Sequence, residues 1–270
     1  MSAPLPIFEK LTATRLNPFG LLVRPTDPGV SLTEIPPTVL ARWAGEAKVL
    51  VLRGFPALAK EDFLDFAGSW GPLLKWPFGY VLDLEVHEDP DNYLFTEGPV
   101  PFHWDGAFAE QVPSYMFFQC RRAPTAGSGG ATTFCDTARL IEQAPADVVD
   151  RWDATEIAYT TEKVAHYGGA VRVPLTSRHP ITRRPVLRFA EPLDPAEYKN
   201  PVFVEIDGLD AEAQDRLLAD LQRRLYAPDV HYAHEWVDGD FVLVDNHAVL
   251  HGRQAFTAGS PRHLQRIHIL

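Results

Sequence analysis

Phe241-Val242-Leu243-Val244-Asp245-Asn246-His247 reads as a short buried strand running into an Asp-Asn turn, and Ala248-Val249-Leu250-His251-Gly252-Arg253 follows at once. Four apolar residues between polar ends are too few for a helix face and suit a core strand. Working outward, similar segments lie at 101–105, 114–120, 131–135, 155–161, 185–189, 201–206, 231–236 and 265–270. Turn chemistry separates them, as in Asp89-Pro90-Asp91-Asn92, Gly127-Ser128-Gly129-Gly130 and Asp238-Gly239-Asp240. Only three helices are legible. One covers 37–47 behind Pro36-Pro37. One covers 60–70, after a strand over 48–53, and ends at Gly71-Pro72. One covers 211–226, with Asp210 as N-cap, Leu217, Leu218, Leu221 and Leu225 on one face, and Arg223-Arg224 in the last turn. Twenty-four prolines argue against a bundle. The pattern predicts a mainly β sandwich or barrel with flanking helices.

The 270 residues carry no repeat and no dividing linker, so a single domain over 1–270 is expected. Apolar residues at 46% and charged residues at 23% exclude a disordered chain. No apolar run approaches the ~20 residues of a membrane span, and MSAPLPIFEK lacks the pattern of a secretory signal. The two cysteines, Cys120 and Cys135, read as buried thiols in a reducing compartment, so the expected location is the cytoplasm. A net charge of −11 disfavours nucleic acid and anionic lipid as partners, and a small-molecule substrate is expected. Oligomeric state is not legible. Residues 162–184, with Gly168-Gly169 and no strong periodicity, read as a long loop suited to an active-site lid.

Against this background, Phe102-His103-Trp104-Asp105-Gly106 stands out. On a strand, residues two apart share a face at ~6.6 Å, so His103 and Asp105 can converge on a metal. The pair alone is weak: a second copy, His87-Glu88-Asp89, lies at a turn and reads as a solvated loop. His251 adds a second imidazole. If 262–268 is extended, Arg262, Leu264, Arg266 and His268 share a face. Two His and one carboxylate leave three positions open, which suits Fe(II) binding a cosubstrate and O2 together. Zinc and a hydrolase remain open on the same ligands, as does a non-catalytic β-barrel binding module. The discriminating feature is a carboxylate site: Gly129-Gly130-Ala131-Thr132 leads a hydroxyl into a strand, and Arg262 offers a guanidinium fork. His231 and His234, three apart on a strand, face opposite ways and cannot form a second metal pair. His179, before Pro180, reads as a turn residue.

His103-x-Asp105, Gly129-Gly130-x-Thr132, His251, Arg262 and Arg266 together resemble the TauD/TfdA family of Fe(II)- and 2-oxoglutarate-dependent dioxygenases, from the strand at Leu50 to the C-terminus. Within it the chain is similar to the PvcB-like subgroup, which acts on isonitrile derivatives of aromatic amino acids, mainly tyrosine. Stretches matching that subgroup include Trp76-Pro77-Phe78-Gly79, Thr132-Thr133-Phe134, Ala165-His166-Tyr167, Leu187-Arg188-Phe189-x-Glu191-Pro192, His231-Tyr232-Ala233-His234 and Pro261-Arg262-His263-Leu264. Ala107-Phe108 after Gly106 depart from its pattern where the pocket should begin.

The resemblance implies a double-stranded β-helix, or jelly roll, flanked by helices. It implies that His103, Asp105 and His251 ligate Fe(II), and that Arg262 and Thr132 hold the distal carboxylate of 2-oxoglutarate. The implied reaction consumes O2 and turns a tyrosine isonitrile into a vinyl isonitrile by decarboxylative desaturation. Hydroxylation of an amino acid or related carboxylate is the alternative. A carboxylated substrate needs a cation, for which Arg266, Lys163 and Arg188 are candidates, Arg266 being able instead to support Arg262. Tyr80, Trp76 and Phe78 are expected to wall an aromatic pocket, and His166 to reach substrate from the lid.

Overall fold

The computed structural model describes residues 6–164 and 167–270. The chain runs through β1 (Leu11–Arg15), β2 (Leu21–Pro25), α1 (Pro37–Ala47), β3 (Val49–Leu52), α2 (Lys60–Gly68), β4 (Val81–Leu84), β5 (Val100–His103), β6 (Tyr115–Arg122) and β7 (Thr132–Asp136). It continues with α3 (Thr137–Gln143), α4 (Ala146–Asp153), β8 (Glu156–Val164), β9 (Tyr167–Pro174), β10 (Thr176–Arg178), β11 (Pro185–Leu187) and β12 (Phe203–Ile206). It ends with α5 (Ala211–Leu225), β13 (His231–His234), β14 (Phe241–Asp245), β15 (Val249–Arg253) and β16 (His263–Ile269).

Two sheets face each other as a jelly roll. One has seven strands in the order β1-β2-β3-β14-β6-β16-β4, the other four in the order β13-β7-β15-β5. Strand alternation sorts the side chains into three cores. Leu50, Leu52, Phe117, Phe241, Leu243, Ile267 and Ile269 leave the large sheet outward and meet Leu40 and Ala44 of α1 and Phe63 and Phe66 of α2. Val49, Val51, Phe118, Val242, Val244 and Leu264 point inward toward Phe134 and Val249 of the small sheet. Behind the small sheet, Phe102, Cys135 and Leu250 pack on Trp152, Leu221 and Leu225. Each large side chain so buried contributes about 1.5–3 kcal/mol. The site therefore has to form where inward positions are polar instead of apolar.

The helices follow from local chemistry. Pro37 occupies the first turn of α1, where no N–H is needed, and Lys48 closes it at φ 68°. Asp210 accepts from the Ala213 amide to start α5, whose Leu221 and Leu225 are fully buried. α2 stops at Gly68, before the expected Trp70, because Ser69 Oγ donates to the Phe66 carbonyl and turns the chain.

Two expectations fail. Residues 137–153 form α3 and α4, each of two turns, too short for a hydrophobic period to declare itself; Asp136 caps the first by accepting from the Arg139 amide. The long loop over 162–184 is corrected too. Its described part is mostly strand: β9 pairs with β8, with Val171 opposite Tyr159 and Val173 opposite Ile157, and β10 pairs with β11. Gly168-Gly169 lies inside β9, so the glycines mark a strand rather than a loop. Among the described residues no helix is long and apolar enough to cross a membrane.

Candidate active site

His103 ends β5 and His251 lies in β15, and the two are direct cross-strand partners in the small sheet. Their rings stand 4.2 Å apart between centroids. The register shifts between His251 and Arg253, a bulge beside the site. Gly252 permits it, since a Cβ there would lie 2.5 Å from the Val100 carbonyl oxygen.

Asp105 does not continue the strand as expected. β5 stops at His103 and Asp105 opens a turn. Asn246 holds it there: the Asp105 amide donates to Asn246 Oδ1 at 3.2 Å, and Asn246 Nδ2 donates to the carbonyls of Asp105 at 3.0 Å and Pro113 at 2.8 Å. Asn246 is fully buried in the Asp-Asn turn at the end of β14. The turn was legible, but its grip on a residue 141 positions away was not.

One ligand atom from each of His103, Asp105 and His251 lies within 4.8 Å of the others. His103 Nε2 is 3.7 Å from Asp105 Oδ1, and His251 Nε2 is 3.8 Å from Asp105 Oδ2, too long for hydrogen bonds. His103 Nδ1 lies 3.0 Å from the Pro101 carbonyl, which only accepts, so Nδ1 carries the proton and Nε2 keeps its lone pair toward the carboxylate. Burial holds both imidazoles below their ordinary pKa and therefore neutral, with Asp105 pulling the other way and Arg266 adding to the lowering. Burial alone would raise the Asp105 pKa, but Arg266, His251 and His268 outweigh it and hold the carboxyl well below its usual range. Two neutral imidazoles and one carboxylate, unbonded to each other at this range, fit a divalent transition metal.

Two cavities meet here. The larger, about 730 Å³ including its open mouth, is walled by Trp76, Phe78, Trp104, Phe108 and Tyr159 together with His103, Asp105 and Arg266. The smaller, about 380 Å³, runs from His103 and His251 to Thr132 and Arg262. Leu94, His103 and Arg266 border both.

Arg262 is 7% exposed, and burial followed by repulsion from Arg253 brings its pKa down to about 9. Its Nε donates to the Gly130 carbonyl at 3.0 Å and Nη2 to Thr132 Oγ1 at 3.3 Å. No carboxylate among the described residues forms an ion pair with it. Thr132 Oγ1 also accepts from Trp236 Nε1 at 2.9 Å. Both lone pairs are thus used, and the hydroxyl hydrogen is left to donate elsewhere. Gly130, at φ 81°, lets the chain pass: a Cβ would sit 2.9 Å from Pro124 and 3.4 Å from Arg262. The small cavity is therefore a cationic socket with a spare hydroxyl donor, suited to a carboxylate.

Arg266 and His268 project inward from β16 between the sheets. Arg266 Nη1 pairs with Asp105 Oδ2 at 2.8 Å, and His268 Nε2 lies 2.7 Å from the same oxygen. His268 carried no assigned role in the sequence, though its place two residues after Arg266 on one face was the available signal. Buried Arg253 was also missed: it donates to the carbonyls of Leu94, Thr96 and Gly98 and so shapes the loop that borders both cavities.

Two substrate candidates, Arg188 and Tyr80, do not reach the larger cavity's described lining. Arg188 is buried elsewhere, donating from Nη1 to the Asn246 carbonyl at 3.0 Å and pairing Nη2 with His247 Nδ1 at 2.5 Å; it braces the turn that grips Asp105. Tyr80 is 36% exposed and carries Lys75 Nζ over its ring, while Trp76 and Phe78 do line the cavity. His179 is a turn residue as expected, yet buried: its Nε2 pairs with Asp245 at 3.0 Å and its Nδ1 accepts from the Thr182 amide. His166 and the side chain of Lys163 lie outside the described residues. Ala107 and Phe108 border the larger cavity, as expected.

Burial also lowers the pKa of His231, His234, His247 and His268, His247 to about 4. With His103 and His251, six histidines stay neutral in the fold at a pH where the unfolded chain protonates them, near 6.5. The folded state then binds fewer protons, so stability declines as pH falls below about 6.5. Urea unfolding of the metal-free protein should show a lower midpoint at pH 5.5 than at pH 7.5; a higher one would contradict these burial assignments.

Comparison with known proteins identifies the family. Residues 14–268 match the family model described as "Taurine catabolism dioxygenase TauD, TfdA family". The chain is 50% identical over 256 residues to 3-((Z)-2-isocyanoethenyl)-1H-indole synthase of Fischerella ambigua, covering 94% of each chain. It is 39% identical over 254 residues to tyrosine isonitrile desaturase of Pseudomonas aeruginosa, covering 93% of this chain and 87% of that one. In structure it is similar to PvcB, described as an Fe, alpha-ketoglutarate dependent oxygenase from an isonitrile synthetic pathway. The TM-score there is 0.80 at 36% identity, over 100% of this chain and 94% of that one. A jelly roll that closes on two imidazoles and a carboxylate is thereby matched along nearly its whole length, and the chain belongs to the TauD/TfdA family of Fe(II)- and 2-oxoglutarate-dependent dioxygenases.

Proposed function

We propose that the enzyme converts an isonitrile derivative of an aromatic amino acid to the corresponding vinyl isonitrile by decarboxylative desaturation. The observation that carries this is the larger cavity, an aromatic-walled chamber lined also by the His103–Asp105 pair and one guanidinium, Arg266. The relatives named for an isocyanoethenyl-indole product and for tyrosine isonitrile support the same substrate class.

In this reading His103, Asp105 and His251 hold Fe(II), and Thr132 and Arg262 take the distal carboxylate of 2-oxoglutarate in the smaller cavity. The bound iron, 2-oxoglutarate and O2 supply a two-electron oxidation, with succinate and CO2 as coproducts. The substrate loses one hydrogen from its benzylic carbon and its carboxylate as CO2. The C–C bond to that carboxylate supplies the electrons of the new alkene, and the second oxygen atom of O2 leaves as water. Trp76, Phe78, Trp104 and Tyr159 orient the ring and exclude water, which favours one bond for attack. Arg266, the only cation among the described lining residues of that chamber, receives the substrate carboxylate at the boundary between the cavities.

Mass spectrometry of reactions with tyrosine isonitrile and with tryptophan isonitrile, under O2 with Fe(II) and 2-oxoglutarate, tests the proposal. Loss of CO2 and two hydrogens from either substrate, with one equivalent of succinate, is expected. Gain of one oxygen with the carboxylate retained would make the enzyme a hydroxylase instead.

A further inference from the structure

We propose that His268 is a positioning residue for the metal-binding carboxylate of Asp105, and that Trp76 in the chamber wall sets its orientation. The proposal rests on the reading of Asp105 as a metal ligand.

Hydrogen-bond logic assigns the chain of contacts. Trp76 Nε1 lies 3.1 Å from His268 Nδ1. An indole N–H only donates, so His268 Nδ1 is the acceptor and carries no hydrogen. The neutral ring then bears its hydrogen on Nε2, which lies 2.7 Å from Asp105 Oδ2 and donates to it. His268 is 1% exposed and meets the Trp76 ring edge-on at 5.5 Å, so it cannot turn without leaving both partners. Arg266 Nη1 donates to the same Oδ2 at 2.8 Å. Two donors thus hold Oδ2, which lies 3.8 Å from His251 Nε2. Oδ1, 3.7 Å from His103 Nε2, takes neither of these bonds, so the pair of donors fixes how the carboxylate is turned toward the imidazoles.

Trp76 is itself held. Its backbone exchanges two hydrogen bonds with Gly79 at 2.9 Å each, and its ring stacks on Phe78 at 6.2 Å with a 15° tilt. Both rings line the larger cavity. A ligand that shifts Trp76 therefore shifts His268, and through it the metal carboxylate. A ring-bearing substrate and the metal share a two-bond relay that runs through no other residue.

Cobalt(II) titration calorimetry on the metal-free protein separates this from a merely structural role. His268→Phe keeps a buried ring and removes both hydrogen bonds; it should weaken Co(II) binding about ten- to a hundredfold. Trp76→Phe keeps an aromatic wall and removes only the donor; it should weaken binding several-fold. His268→Gln, whose amide can still donate to Oδ2, should recover most of the loss. The nitrogen-15 signature of His268 in labelled wild-type protein should be the Nε2–H tautomer, and Trp76→Phe should relax it toward a mixture. If both phenylalanine variants bind Co(II) within twofold of wild type while Asp105→Ala does not bind, or if His268 carries its hydrogen on Nδ1, the relay is wrong. If His268→Phe fails to fold, the Trp76→Phe titration and the tautomer decide. Wild-type Co(II) affinity in Asp105→Ala would remove the ligand reading itself, and the proposal with it.

Discussion

Asp105→Ala is expected to abolish succinate formation and to destabilise the metal-free fold, whereas His103→Ala should abolish activity alone. Both remove one of the three proposed ligands, and the loss of turnover should exceed a thousandfold in each. They differ in what they leave behind. Asp105 is the only carboxylate paired with Arg266 among the described residues, and both are buried. Removing it leaves a guanidinium and the His268 donor without their acceptor, a change that typically costs about 3–5 kcal/mol. In a chain of this length that lowers the melting temperature by roughly 6–20 °C, at about 2–4 °C per kcal/mol. His103 has no such dependant. Its Nδ1 bonds to one carbonyl, and keeping a neutral imidazole buried opposes the fold at low pH. His103→Ala should melt within a few degrees of wild type at pH 7.5. Paired measurements of succinate yield in metal-limited buffer and of melting temperature check both statements. Turnover within tenfold of wild type in either variant would overturn the ligand set, and equal melting temperatures would overturn the Arg266 argument.

What the sequence could and could not show follows from the range of each interaction. Strands such as Phe241–Asp245 and the α5 face at Leu221 and Leu225 are local patterns, and they were legible. His103, Asp105 and His251 were legible as residue types at suggestive spacings, but their meeting depends on a cross-strand register with a bulge at Gly252, which no spacing encodes. Cations were chosen by type and proximity in sequence. That fails for Arg188, because the Asn246 carbonyl and His247 compete for its guanidinium, and those partners lie 58 and 59 residues away. Tyr80 was grouped with Trp76 and Phe78, yet the turn at Trp76–Gly79 sends the first two rings into the cavity and Tyr80 toward Lys75. His268 and Asn246 were hidden for the opposite reason: each acts on Asp105 from more than 140 residues away, with no motif of its own.

Arg262→Leu separates binding from folding most sharply. A buried guanidinium that pairs with no carboxylate among the described residues is a liability to the metal-free fold; burial already brings its pKa down to about 9. The fold keeps it with the Gly130 carbonyl and Thr132 Oγ1 as acceptors, and the distal carboxylate of 2-oxoglutarate would be the missing anion. Replacing it with leucine removes a desolvated charge at the expense of one unsatisfied carbonyl, about 1–3 kcal/mol. Those effects oppose each other, so the variant should melt within a few degrees of wild type or above it. Cosubstrate binding behaves differently. Truncating one partner of a buried, hydrogen-bonded charge pair costs about 2–5 kcal/mol, or roughly 30- to several-thousandfold in affinity. The KM for 2-oxoglutarate should rise by that factor, and the stabilisation that saturating 2-oxoglutarate gives the wild-type cobalt(II) complex should disappear. Co(II) affinity without the keto acid should stay within a few-fold, since the hydrogen bonds of Arg262 go to Gly130 and Thr132 and not to the three proposed ligands. A melting temperature lowered by more than ten degrees, with an unchanged KM, would mean that Arg262 holds the sheets together and that the keto acid anchors elsewhere.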